Sequence, residues 1–151
     1  MEEYKVKVYA NGDKYWYQND KRHRLDGPAC EWASGCKEWW QNDKRHRLDG
    51  PAVEYANGIK FWYQNGECHR EDGPAREYPD GSKFWYQNNK RHREDGPARE
   101  YADGSKEWYI EGKELTEEEF NNRNNVEVTL EDIAEAMNID VDKLRIKGMH
   151  I

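Results

Sequence analysis

Residues 78–100, YPDGSKFWYQNNKRHREDGPARE, decide the fold, because the same 23-residue phrase returns along the chain. It stands as YANGDKYWYQNDKRHRLDGPACE at 9–31, WASGCKEWWQNDKRHRLDGPAVE at 32–54 and YANGIKFWYQNGECHREDGPARE at 55–77. A fifth copy, YADGSKEWYIEGKEL at 101–115, leaves the pattern at Ile110. Self-similarity at a fixed step is the signature of repeat architectures. Each copy carries turn residues at two fixed places. One is Asn11-Gly12, Ser34-Gly35, Asn57-Gly58, Asp80-Gly81 and Asp103-Gly104; the other is Asn19-Asp20, Asn42-Asp43, Asn65-Gly66, Asn88-Asn89 and Glu111-Gly112. Glycine takes the positive φ of tight hairpin turns readily, and asparagine and aspartate tolerate it. Between the turns lie strand formers, KFWYQ at 83–87 and PAREY at 97–101, the latter with proline at a strand's first position. Two antiparallel strands per unit are expected, so that each repeat advances a sheet by roughly 10 Å and ten strands span roughly 50 Å.

The remaining composition agrees with a thin sheet rather than a conventional core. Of 151 residues, 35% are hydrophobic and 36% charged, yet the chain holds 7 Trp, 10 Tyr and 3 Phe, which a disordered chain lacks. Trp16, Trp39, Trp62, Trp85 and Trp108 share one repeat position, and Tyr9, Trp32, Tyr55, Tyr78 and Tyr101 another. Stacked units align such residues into aromatic ladders that bury one face. The position of Tyr15, Glu38, Phe61, Phe84 and Glu107 accepts glutamate twice, so it is expected to face solvent, which makes Phe61 and Phe84 candidate partner contacts. The N-terminus MEEYKVKVYA is charged and alternating, and no apolar run approaches the roughly 20 residues that span a bilayer, so a cytoplasmic protein without a membrane partner is expected. Cys30, Cys36 and Cys68 form no disulfide framework; Cys30 and Cys36 flank the turn at 33–35, and reduced thiols are expected.

The 23-residue step, the tryptophan strand, the N-x-K-R-H turn and the Y-x-D-G-S-K segment resemble MORN repeats and the related YwqK-type variants over residues 9–112. The match departs where MORN units continue H-G-x-G, since this chain reads His-Arg-Leu-Asp-Gly-Pro at 23–28 and His-Arg-Glu-Asp-Gly-Pro at 69–74. That variant is most similar to repeat proteins of phages and mobile elements. The resemblance implies a mainly β protein, a single-layer antiparallel β-hairpin solenoid that mediates protein contacts. The expected organisation is an N-terminal capping strand at 1–8, the solenoid at 9–115 and a small α/β C-terminal cap or docking segment at 116–151.

The most distinctive constellation is Arg22-His23-Arg24, Arg45-His46-Arg47, His69-Arg70 and Arg91-His92-Arg93, followed by Asp26, Asp49, Asp72 and Asp95. A metal site is disfavoured, because equivalent histidines stand about 10 Å apart whereas two zinc ligands each approach the metal to about 2 Å. Acid–base catalysis needs one unique, perturbed copy in a pocket, and four near-identical copies argue against it. No G-x-S-x-G, Walker, H-E-x-x-H or CxxC motif occurs, so neither enzyme nor cofactor is expected. Over the loops 20–26, 43–49, 66–72 and 89–95 ten basic residues face nine acidic ones, and a net charge of +1 is a feeble lure for nucleic acid. Each Asp is expected to order its turn and to pair with an arginine, leaving a continuous edge that a protein partner reads through Arg and His.

After the repeats, Thr116-x-x-Glu119 and Thr129-x-x-Asp132 have the form of helix N-terminal caps, the second opening the stretch Leu130, Ile133, Ala134, Met137. Residues 121–125 read as a loop, 126–128 as a short strand, and Asp140 as the cap of a last turn through Leu144. TLEDIAEAMNIDVDKL is similar to the first part of a helix-turn-helix, but Asp140 and Asp142 in the would-be recognition segment disfavour DNA binding. Residues 111–151 hold 11 acidic and 5 basic residues, net −6, densest at Glu117, Glu118 and Glu119. Such asymmetry steers toward a basic surface. The expected function is that of a non-catalytic binder, a phage or mobile-element inhibitor of a nucleic-acid-binding defence enzyme. The alternatives are a small-ligand or nucleotide sponge, and an antitoxin or scaffold that assembles through its sheet edges.

Overall fold

The computed structural model describes residues 3–125, 128–138, 140 and 141. It falls into two compact units, Met1–Phe120 and Asn121–Ile151. The first is mainly β, with one 12-stranded antiparallel sheet and three further two-stranded ladders.

The repeat sequence explains why most strands are only two residues long. Lys83–Phe84 pairs on one side with Arg76–Glu77 and on the other with Arg99–Glu100. At the next residue the chain changes partners: the Trp85 N–H donates to the Ala98 carbonyl at 2.7 Å, and the Trp85 carbonyl accepts the His92 N–H at 3.2 Å. Tyr86–Gln87 then pairs with Lys90–Arg91 in a hairpin of its own. Each inner unit therefore supplies four short segments, as Lys83–Phe84, Tyr86–Gln87, Lys90–Arg91 and Arg99–Glu100 do, rather than the two strands expected, since the KFWYQ strand is interrupted at its tryptophan. In the first unit, where the neighbouring strand Lys5–Val8 pairs along its whole length, Lys14–Gln18 runs unbroken.

The two turns differ in kind. At the first, the Gly81 N–H donates to the Tyr78 carbonyl and the Tyr78 N–H to the Ser82 carbonyl, and only glycine, at φ +95, is left-handed. At the second, both central residues are left-handed, Asn88 at φ +48 and Asn89 at φ +65, as a type I′ hairpin requires. Consecutive second hairpins are bonded to each other as well, Arg47 N–H to the Tyr63 carbonyl and Gly66 N–H to the Arg45 carbonyl.

The fully buried residues are small ones, Ala29, Ala52, Ala75, Ala98, Cys30, Val53 and Cys68, and beside them runs a row of aromatic rings from two repeat positions, of which Phe84 is buried and Tyr55 exposed. Tyr55, Phe61, Tyr78, Phe84 and Tyr101 follow one another with centroid separations of 5.7, 5.8, 5.1 and 5.2 Å, edge to face except for the tilted Tyr78–Phe84 pair. This corrects the expectation that the Phe61 and Phe84 position faces solvent: Phe84 is buried between Tyr78 and Tyr101, and Phe61 is half-buried. Of the glutamates that prompted the expectation, Glu38 is buried and Glu107 half-buried, and each brings its own partners. Buried Glu38 accepts from Trp40 Nε1 at 2.7 Å and from Arg45 at 3.0 Å. Glu107 accepts from Arg99 at 3.0 Å and from the hydroxyls of Tyr101 and Tyr109 at 2.8 and 3.1 Å. A carboxylate satisfied in this way costs little to bury. The tryptophan ladder, by contrast, is only half-buried.

Two short helices follow. In α1 (Glu117–Asn122) the Thr116 hydroxyl accepts the Glu119 N–H and the Glu119 carboxylate accepts the Thr116 N–H; Phe120 is buried. In the second unit α2 (Leu130–Met137) opens with the same reciprocal box between Thr129 and Asp132 and ends on Asn138 at φ +54. Both caps lie where the sequence places them. Helix α1 reaches into the segment expected as a loop, and Val128 is not in a strand. Residues 126, 127 and 142–144, on which the remaining expectations fall, lie outside the described residues. Among the described residues, no helix is long and apolar enough to cross a membrane.

Candidate functional site: a repeated loop edge

The loops that join each second hairpin back to the main sheet, residues 24–28, 47–51, 70–74 and 93–97, share one construction. In the second loop Arg47 lies flat on Trp39, its Cζ 4.0 Å from the ring centroid. Arg47 Nε donates to Asp49 at 2.9 Å, and Nη1 donates to the Pro51 carbonyl at 3.2 Å and to Glu54 at 3.0 Å. Arg24, Arg70 and Arg93 repeat these bonds over Trp16, Trp62 and Trp85. The arginine is thus the staple of its own loop. The glycine of Asp-Gly-Pro is required by the same staple, because a Cβ on Gly50 would stand 2.9 Å from the Arg47 Cζ.

The histidines join one unit to the next. Nδ1 of His23, His46 and His69 lies 3.2, 3.1 and 3.2 Å from the backbone N of Asn42, Asn65 and Asn88 and 3.2, 3.1 and 2.9 Å from the side-chain Oδ1 of the same asparagines, so each ring meets a donor and an acceptor of the next unit. In the fourth copy the Glu111 N–H takes this place at 3.1 Å from His92 Nδ1, with the Glu111 carboxylate at 3.0 Å.

Between successive loops lie three equivalent clefts. The first, about 560 Å³, is floored by Trp39 and Gln41 and walled by the loops of Arg24 and Arg47. The second, about 620 Å³, has Trp62 and Gln64 as its floor, and the third, about 600 Å³, has Trp85 and Gln87. Of the residues singled out from sequence, the structure brings His46, His69, His92, Arg24, Arg47, Arg70 and Arg93 to these clefts. Arg22, Arg45 and Arg91 lie instead in the second hairpins, stacked on Trp40, on Trp40 and Tyr63, and on Tyr109. His23 is buried, Phe61 and Phe84 belong to the interior, and Glu117, Glu118 and Glu119 are exposed on the first turn of α1.

Exposure reverses the electrostatics that a charge count gives. The stapling arginine side chains are 21–22% exposed, whereas those of Asp26, Asp49, Asp72 and Asp95 are 82–84% exposed and those of Glu71 and Glu94 are 83% and 80%. The charge that reaches solvent at the loop edge is carboxylate. The arginine hydrogen bonds hold all four aspartates below the usual carboxylate range, so they stay charged. Leu25 and Leu48, exposed at the position that Glu71 and Glu94 occupy in the later loops, were not singled out from sequence. The signal was present, because that position alone changes between two otherwise identical H-R-x-D-G-P-A phrases.

Among the described residues no group of three His, Cys, Asp or Glu could hold a metal ion. Burial pushes the Cys30 thiol up to about 11, away from nucleophilic use. No protein-family model and no curated protein matches the chain.

Proposed function

We propose that this chain is a MORN-like β-hairpin solenoid that binds a protein partner along its loop edge and performs no chemistry of its own. The observation that carries the reading is the inversion of the edge: arginines are folded inward as staples while four aspartates point out once per unit, joined in the last two loops by Glu71 and Glu94. An acidic row on a rigid repeated scaffold complements a basic surface, and charge complementarity of this kind sets both encounter rate and specificity. The same row speaks against the nucleotide-sponge alternative, since the arginines such a ligand needs already donate to Asp, Glu and proline carbonyls. A protein that covers the basic groove of a nucleic-acid-binding enzyme would act as its inhibitor, and the acidic residues of 111–151 would add to the attraction.

The test is affinity capture from a bacterial lysate with wild type and with the double reversal Glu71→Lys and Glu94→Lys. Neither glutamate belongs to a loop staple, so circular dichroism should be unchanged. Loss of the captured protein in the double reversal is the expected result; undiminished capture would sink the edge reading. The contribution of α1 is read from Glu117→Lys and Glu118→Lys alone, because Glu119 caps the helix and its reversal would disturb the fold.

A further inference from the structure

The four loops are identical in construction but not in what they show, and the difference is ordered along the chain. Loops one and two present Leu25 and Leu48, 64% and 74% exposed, and loops three and four present Glu71 and Glu94. Both leucines wall the first cleft, over Trp39, and Leu48 also walls the second; both glutamates wall the third, over Trp85. Two large apolar side chains side by side in solvent over an aromatic floor mark a contact surface rather than a solvated one. The edge therefore carries leucine beside its aspartates over its first half and glutamate beside them over its second.

Spacing selects the partner's backbone. Each repeat places two strands in the main sheet, so equivalent loop positions are about 9.6 Å apart. A polyproline II segment turns once in three residues and rises about 9.3 Å in doing so, which returns a side chain to the same side once per cleft. A β-strand covers a similar distance in three residues but then points to its opposite face. An α-helix needs about seven residues, about 10.5 Å, and loses register by nearly 1 Å at every step. Aromatic-floored grooves are the surfaces on which polyproline II segments dock.

Resting on the reading that the loop edge is the partner face, we infer that it takes an extended polyproline II segment of a partner protein. That segment carries two apolar side chains three residues apart, followed at the same interval by two basic ones. The apolar pair lies against Leu25, Leu48 and Trp39, and the basic pair meets Glu71 and Glu94.

The test is fluorescence anisotropy with fluorescein-labelled peptides and the full chain. LPPLPPKPPK should bind at least tenfold more tightly than LPLPPKPKPP, which has the same composition at another spacing, and than LPPLPPEPPE. Leu25→Ser with Leu48→Ser, and separately Glu71→Gln with Glu94→Gln, should each weaken the first peptide at least fivefold, with circular dichroism as the control for folding. Equal affinity for the two lysine peptides, lost in the loop variants, would overturn the register while leaving the edge reading intact. Tighter binding of an alanine-based helix with the same four side chains at seven-residue steps would overturn the polyproline II form. Peptide affinity untouched by either double variant would overturn the inference and the edge reading together.

Discussion

At the scale of single residues, the protein is governed by what an arginine, a tryptophan and a glycine do to one another. Arg47 can lie on Trp39 only because Gly50 lacks a Cβ, and this glycine is not among the left-handed ones, so the constraint is contact and not backbone conformation. Gly50→Ala should therefore cost about 1–3 kcal/mol by overpacking, measured by urea denaturation, and should raise the exposure of Arg47. Gly104→Ala, at φ +86 with nothing within 4 Å, meets no neighbour and should show only the backbone cost of about 1–2 kcal/mol, without movement of any staple. The pairing of Asp with Arg was legible in the sequence, because aspartate before Gly-Pro orders a turn and a nearby arginine is its best partner. The direction in which Arg faces was not, since stacking on a tryptophan eight positions earlier leaves no periodic trace. Glu38 and Glu107 misled for a similar reason: their polarity is cancelled by Arg45 and Arg99, seven residues after the one and eight before the other.

At the scale of the element, the loop is a charge device with a defined acid limb. The four aspartates have folded pKa values below their ordinary ones, so their contribution to stability is present above the ordinary carboxylate range and is lost as pH falls through the depressed folded values. Wild type should accordingly lose thermal stability on acidification below about pH 4. The quadruple variant Asp26→Asn, Asp49→Asn, Asp72→Asn, Asp95→Asn should be less stable at neutral pH and lose less on acidification; an unchanged acid limb in that variant would refute the assignment. The turns and both helix caps were legible because each is a local motif with its own residue code. The break of the KFWYQ strand was not, because it depends on a partner change at tryptophan that only the neighbouring Ala and His backbones impose.

At the scale of the whole repeat array, equivalence of units predicts tolerance to removal of one unit. Deletion of residues 55–77 joins two complete copies in register and should leave a folded β protein with a lower denaturation midpoint, as nearest-neighbour stacking requires. Circular dichroism and a cooperative melt check it, and a shortened chain without a cooperative transition would contradict it. The histidine bonds from one unit to the next have a consequence for how the protein is made. Each histidine reaches a backbone N–H only 19 residues further on, and the clefts, ladders and staples likewise close over about one unit. Contacts this local favour fast folding and let a chain settle in the order of its synthesis. A unit that emerges from the ribosome can then dock on the units already folded before it, so that the growing sheet serves as its own template.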